Sequence, residues 1–361
     1  MTKLESGKHQ KITPSKEAPD DSAPNEEQEF AFFLPAGQEQ GDGQESLPPT
    51  AATIGNVVLL CAIFSTILTL IWKFMPDTIL PFAKTSLLGF SVITLVRLFL
   101  SLLLPIIFFA ARYHIEDTRI LGHNPGIGAV ILSFLIGCPA SLIFVSMHNL
   151  LMRFFLAKGI PLVLPSFFYG SEDISYESRL LAFAAAFIIP VLLQELFFRG
   201  LFFAVWPQSA SVSPKILLSG VLFAVFLQNP VDFIPLLLLG ILLAYIRHAT
   251  DHFLCPVITQ ISMLLTYCLF SSLLPYMDYI TVGISADLDS TSLYTAIAAL
   301  VMSLLAFLPV LSQLRRMSRE AAKITYPTDG TGNESTHGHY GWSFGLGIIL
   351  FATSWVLLLG I

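Results

Sequence analysis

Nine apolar runs fill most of the chain after residue 50, at about 54–75, 87–111, 126–151, 179–204, 214–228, 231–248, 252–274, 293–314 and 341–360. Each is read as a segment able to cross the roughly 30 Å hydrocarbon core of a bilayer. In that solvent a lone spanning segment meets its backbone hydrogen bonds as a helix. The expected fold is therefore an all-α, polytopic transmembrane helical bundle of about nine spans. The composition agrees, with 54% hydrophobic and only 12% charged residues.

The charge is unevenly spread. Residues 1–50 hold ten acids against four lysines, and the remaining 311 residues hold 15 acids and 15 bases. Residues 1–50 are rich in Glu, Gln, Pro, Gly and Ser, and so read as a disordered acidic tail. Phe30, Phe32, Phe33 and Leu34 interrupt it, as a short docking motif or, more plainly, an unused apolar spot. Nothing suggests nucleic-acid binding. With no apolar run in the first fifty residues, a cleaved signal peptide is not expected. Cys61, Cys138, Cys255 and Cys268 lie in or beside apolar runs with no disulfide-framework spacing, and read as small core residues.

Orientation follows from Lys and Arg. The cluster Arg315, Arg316, Arg319 and Lys323 is expected on the cytoplasmic side. Nine spans then put the N-terminus in the cytoplasm, with twelve bases inside, five outside, and Arg97 and Arg199 within the membrane. The expected location is the cell (plasma) membrane.

The fourth run carries Gln194, Glu195 and Arg199 in an otherwise apolar setting, with Pro190 a turn earlier. A charge at the centre of a membrane helix costs roughly 2.5–3.5 kcal/mol on insertion scales, so it faces protein and has a partner. Glu195 and Arg199 are four apart and share a helical face. A structural ion pair and a reacting site both fit these residues.

The segment Gln194-Glu195-Leu196-Phe197-Phe198-Arg199-Gly200 resembles the E-E-x-x-x-R motif of the CPBP intramembrane proteases, the CAAX-protease and Abi family. Ser219 through Leu227 is similar to the F-x-x-x-H motif, Gly240 through Arg247 to the family's next helix, and Cys255 through Gln260 to the segment that opens H-x-x-x-N/D. The resemblance covers 178–275 as a CPBP-like core, with N-terminal helices at 54–156 and C-terminal helices at 293–361 around a soluble loop at 315–340. Pro190, Glu195, Arg199, Gly200, Phe223 and Pro256 match the family pattern. The family's water-activating glutamate corresponds to Gln194, its two histidines to Leu227 and Gln260, and the last Asn/Asp to Leu264. An amide is no general base, and Leu is no ligand.

Other polar groups carry weaker signals. His248 and His252 stand at metal-ligand spacing but straddle a loop, so surface histidines are the plainer reading. His148 with Asn149 could face the Glu195 pocket, but reads more plainly as a satisfied core histidine. His337 with His339, the Asn333-Glu334-Ser335 sequon and Gly341-x-x-x-Gly345 weigh less.

The resemblance implies an integral membrane protein of intramembrane-endopeptidase ancestry. Its altered positions imply a pseudoprotease that binds membrane-protein or lipid-modified peptide segments within the lipid bilayer. No cofactor is expected, with zinc implied only if the family mechanism survives. Two alternatives stay open: an active CAAX-type endopeptidase with Glu195 as a relocated base, and a membrane transporter built on Arg97, Glu195 and Arg199.

Overall fold

The computed structural model describes residues 51–74, 87–158, 184–206, 212–227, 231–273, 290–325 and 341–359. The acidic tail, the expected loop at 158–177 beyond its first residue, the turn expected at Asn229–Pro230, His337, His339 and the Asn333 sequon lie outside the described residues. Ten helices make up the described fold: α1 Ala51–Phe74, α2 87–112, α3 Asp117–Leu121, α4 Ile127–Ala157, α5 184–204, α6 Val212–Phe226, α7 Phe233–Thr250, α8 Leu254–Leu273, α9 Ser290–Thr325 and α10 Gly341–Leu359. Apart from the short α3, they correspond to the nine apolar runs. The protein is an all-α, multi-pass membrane bundle.

Five helices, α1, α2, α4, α7 and α9, are long and apolar enough to span by length and composition alone. α6, α8 and α10 have shorter apolar stretches. The expected soluble loop at 315–340 is corrected at its start, because α9 continues unbroken to Thr325. Arg, Glu, Lys and Ala are good helix formers, so helix propensity carries it past the apolar stretch.

Two helices widen into π-turns just ahead of a proline. In α2 the turn Phe99–Leu103 precedes Pro105, and in α5 the turn Ala184–Ile188 precedes Pro190. Proline lacks an N–H, and its ring collides with the carbonyl four residues back. That carbonyl belongs to Ser101 in α2 and Ala186 in α5, inside the widened turn in both cases. α5 widens again at Leu196–Leu201, immediately after Glu195.

Small residues let backbones approach. A Cβ on Gly220 would lie 2.6 Å from Ile241 Cγ1 and 2.8 Å from its backbone nitrogen, and one on Gly240 would lie 2.8 Å from the Gly220 Cα. α6 and α7 thus meet glycine to glycine. α4 and α8 meet through hydroxyls: Thr259 donates to the Ser133 carbonyl at 2.9 Å, Ser262 to Phe134 at 2.6 Å and Ser141 to Met263 at 2.8 Å. Without a hydrophobic drive between helices in lipid, close packing and such bonds hold the bundle together. Phe197, Phe198, Phe202, Phe223 and Phe226 fill the interior around α5. By contrast, Val301, Met302, Leu305 and Leu308 of α9 are exposed, which suits a lipid-facing helix.

The connector between α2 and α4 folds under the α7–α8 turn. Gly122 and His252 form an antiparallel bridge, the His123 N–H donates to the Asp251 carbonyl at 3.0 Å, and the Phe253 N–H donates to Leu121 at 3.0 Å. Gly122 has φ +85°, and an added Cβ would stand 1.8 Å from the Asp251 carbonyl oxygen. Only glycine fits there.

Gly220→Ala is expected to destabilise the detergent-solubilised protein by about 1–3 kcal/mol through overpacking. This would occur although alanine gains about 1 kcal/mol in helix propensity. Gly128→Ala, whose Cβ meets open space, should not fall by more than about 0.5 kcal/mol. Unfolding of both variants in denaturant checks this.

Candidate functional site

The Glu195 and Arg199 side chains are wholly buried. Arg199 Nη1 donates to Glu195 Oε1 at 2.9 Å, and Nη2 donates to the Gly240 carbonyl at 2.8 Å. The guanidinium carbon lies 4.5 Å from the Phe223 ring centre and 5.8 Å from that of Phe198. A planar, delocalised cation is suited to a fork of bonds at its edge and an aromatic at its face. Glycine at 240 serves twice, admitting the α6 backbone and presenting its carbonyl to Arg199.

Gln260 of α8 donates from Nε2 to the same Glu195 Oε1. α5, α7 and α8 are therefore joined at one carboxylate oxygen and the arginine beside it. Among the described residues nothing donates to Glu195 Oε2, and Arg199 Nε has no acceptor. Both atoms are buried.

The widened turn after Glu195 has its own donors. Ser219 Oγ donates to the Phe198 carbonyl at 3.1 Å, and Arg247 Nε donates to the Arg199 carbonyl at 3.1 Å. A π-turn displaces carbonyls from the regular ladder, and these side chains bond two consecutive ones. Arg247 Nη1 continues to Asp251 Oδ1 at 2.9 Å, and Asp251 Oδ2 meets His123 Nδ1 at 2.7 Å. The exposed connector is thus linked to the backbone of Arg199 through two side chains.

Of the six positions singled out in the sequence, Glu195, Arg199 and Gln260 come together. Gln194 is buried beside them in the chain. Leu227 is half-buried against the apolar core, one turn beyond Phe223. Leu264 is half-buried one turn beyond Gln260 on α8. The Gly240 carbonyl, as an arginine acceptor, was not legible in the sequence, since backbone atoms leave no compositional signal. Asp232 was missed as the partner of His148: the two are buried and joined from Nδ1 to Oδ1, tying α4 to the start of α7. An acid one residue before an apolar helix was the available clue.

His248 and His252 do not form a ligand pair. His248 is exposed, whereas His252 is buried and accepts the Leu254 N–H on Nδ1 at 3.1 Å, at the start of α8. Burial and the Arg247 guanidinium push the His252 imidazole below its ordinary range, with Asp251 opposing them. A neutral ring is the form that can accept that N–H.

Residues 176–266, about a quarter of the chain, match the family model described as Type II CAAX prenyl endopeptidase Rce1-like. This segment is similar to the CPBP/CAAX-protease family. The match encloses α5, α6, α7 and about the first two thirds of α8, and so every contact of the Glu195–Arg199 pair described above. No curated protein and no solved structure matches the chain.

The resemblance implies a metal. Glu195 Oε1 is already taken by two donors, Gln194 and Gln260 are neutral amides, and Leu227 and Leu264 offer no donor atom. Zinc sites draw on Cys, His and carboxylate ligands. Among the described residues no three His, Cys, Asp or Glu side chains converge. The donor set does not fit a zinc ion.

Arg199→Leu should destabilise the protein by about 3–5 kcal/mol by leaving a buried carboxylate uncompensated. Adding Glu195→Leu should recover part of that loss. A double-mutant cycle on unfolding free energies checks it, and strictly additive effects would contradict the pairing.

Proposed function

We propose that the chain is a pseudoprotease of the CAAX-protease family that binds membrane-protein or lipid-modified peptide segments in the bilayer. The observation that carries this reading is the Gln260 amide seated on Glu195. Where the family pattern has a histidine, this chain has an amide that donates to Glu195 Oε1. An amide cannot relay a proton as an imidazole can, so the arrangement is suited to orienting a ligand. Glu195 Oε2, with no donor among the described residues, is suited to accept a peptide N–H. Leu227 and Leu264 in place of His and Asn/Asp favour an apolar guest.

A second reading rests on the same oxygen. An unpartnered carboxylate oxygen can take a proton from water, which would make Glu195 the base of a working endopeptidase. Comparing protein N-termini in host membranes with wild-type chain and with Glu195→Ala separates the two. The pseudoprotease reading expects identical profiles at equal protein abundance. Termini that vanish in the variant would establish the peptidase.

Binding is tested directly with a photoreactive residue at Leu264. Apolar or lipid-modified peptides should be captured, and Glu195→Gln should weaken capture on the order of tenfold. Capture that is unchanged by Glu195→Gln would remove Glu195 from the ligand site. The cell membrane, with residues 1–50 in the cytoplasm, is the proposed setting. Protease protection of an N-terminal epitope in right-side-out vesicles would support it.

A further inference from the structure

α9 is longer than a bilayer needs. Its 36 residues rise about 54 Å, against roughly 30 Å of hydrocarbon. The apolar stretch is Leu293–Met317, and the helix then continues to Thr325. Arg315, Arg316, Arg319 and Lys323 lie where it leaves the apolar layer, with Glu320 as the single acid among them.

The register gathers those cations. At 100° per residue, positions 315, 316, 319 and 323 fall within about 100° of the helix circumference. Leu314 is buried against Ile246, Ala249 and Cys255, with Val310 and Met317 packed on the same cluster. These positions face the bundle, on the side of α9 opposite the basic stripe. Arg315 and Arg316 are exposed. The turns just before them carry the exposed Val301, Met302, Leu305 and Leu308. A helix that faces lipid along this length brings its first exposed arginines to headgroup depth.

Ala249 and Cys255 flank the α7–α8 turn, so this end of α9 packs beside that turn. The carboxylate in that turn, Asp251, is already engaged by Arg247 and His123.

We infer that the outward face of α9 at Arg315, Arg316, Arg319 and Lys323 is a binding site for anionic phospholipid headgroups. Four cations at the end of a spanning segment attract acidic lipid with about 1 kcal/mol each near the surface, and the attraction is screened by salt. The site is separate from the Glu195–Arg199 pair and holds whether or not that pair meets a peptide.

The full chain would be purified into nanodiscs of phosphatidylcholine alone or mixed with phosphatidylglycerol. Lipid retained on the protein is then measured by native mass spectrometry. The wild type should retain phosphatidylglycerol over phosphatidylcholine, less so at high salt. R315Q/R316Q/R319Q/K323Q should reduce that preference at least about tenfold, with an unchanged thermal midpoint in phosphatidylcholine. R153Q/K158Q, at the other end of α4 from the connector, should leave it intact. Three results would each overturn the site: no headgroup preference in the wild type, a preference that survives in the quadruple variant, or tighter capture of a soluble poly-glutamate peptide than of the lipid.

Discussion

The buried bond between Arg199 and Glu195 is the constraint to which the core is built. A cation sealed among phenylalanines requires an anion, a carbonyl and a ring face, and each comes from a different place. Glu195 supplies the charge from the same helix, Gly240 the carbonyl from α7, and Phe223 the ring from α6. Gln260 then brings α8 to the carboxylate. Such a pair is weak evidence for net stability, because desolvation offsets much of the attraction. Its effect is on register: sliding any of these helices by one residue would strand a buried charge.

The glycines and the π-turns follow from that requirement. Gly240 cannot reach Arg199 unless α7 lies close against α6, and only the contact with Gly220 permits it. The extra residue in the turn after Glu195 frees carbonyls that need donors, which Ser219 and Arg247 supply. Arg247 thereby joins the buried centre to the exposed turn at Asp251. Glu195, Arg199, Gln260, Arg247 and Asp251 are thus connected through hydrogen bonds, in keeping with the cost of an unsatisfied group in lipid.

Much of the architecture was legible in the sequence because a bilayer imposes a length and a polarity on every crossing segment. The apolar runs corresponded to helices, and the i, i+4 spacing of Glu195 and Arg199 corresponded to their contact. The core segment was legible too, since Glu195, Arg199 and Phe223 stood in a family pattern. What stayed hidden depended on atoms that composition does not record. The Gly240 carbonyl, the His148–Asp232 pair and the capping role of His252 are set by which helices become neighbours. The end of α9 was misjudged for a different reason. Polarity marks where a segment leaves the membrane, but helix propensity decides where it stops, and for α9 these points differ.

The bridge between Gly122 and His252 has a consequence for how the protein is made. Its two halves are separated by α4, α5, α6 and α7. During synthesis the connector leaves the ribosome well before its partner and must stay unpaired while four further helices enter the bilayer. Contacts so distant along a chain close late. That end of the bundle cannot form until α7 and the turn at Asp251 have been made, and a nascent chain halted before residue 251 leaves Gly122 and His123 without the backbone partners they have in the finished protein.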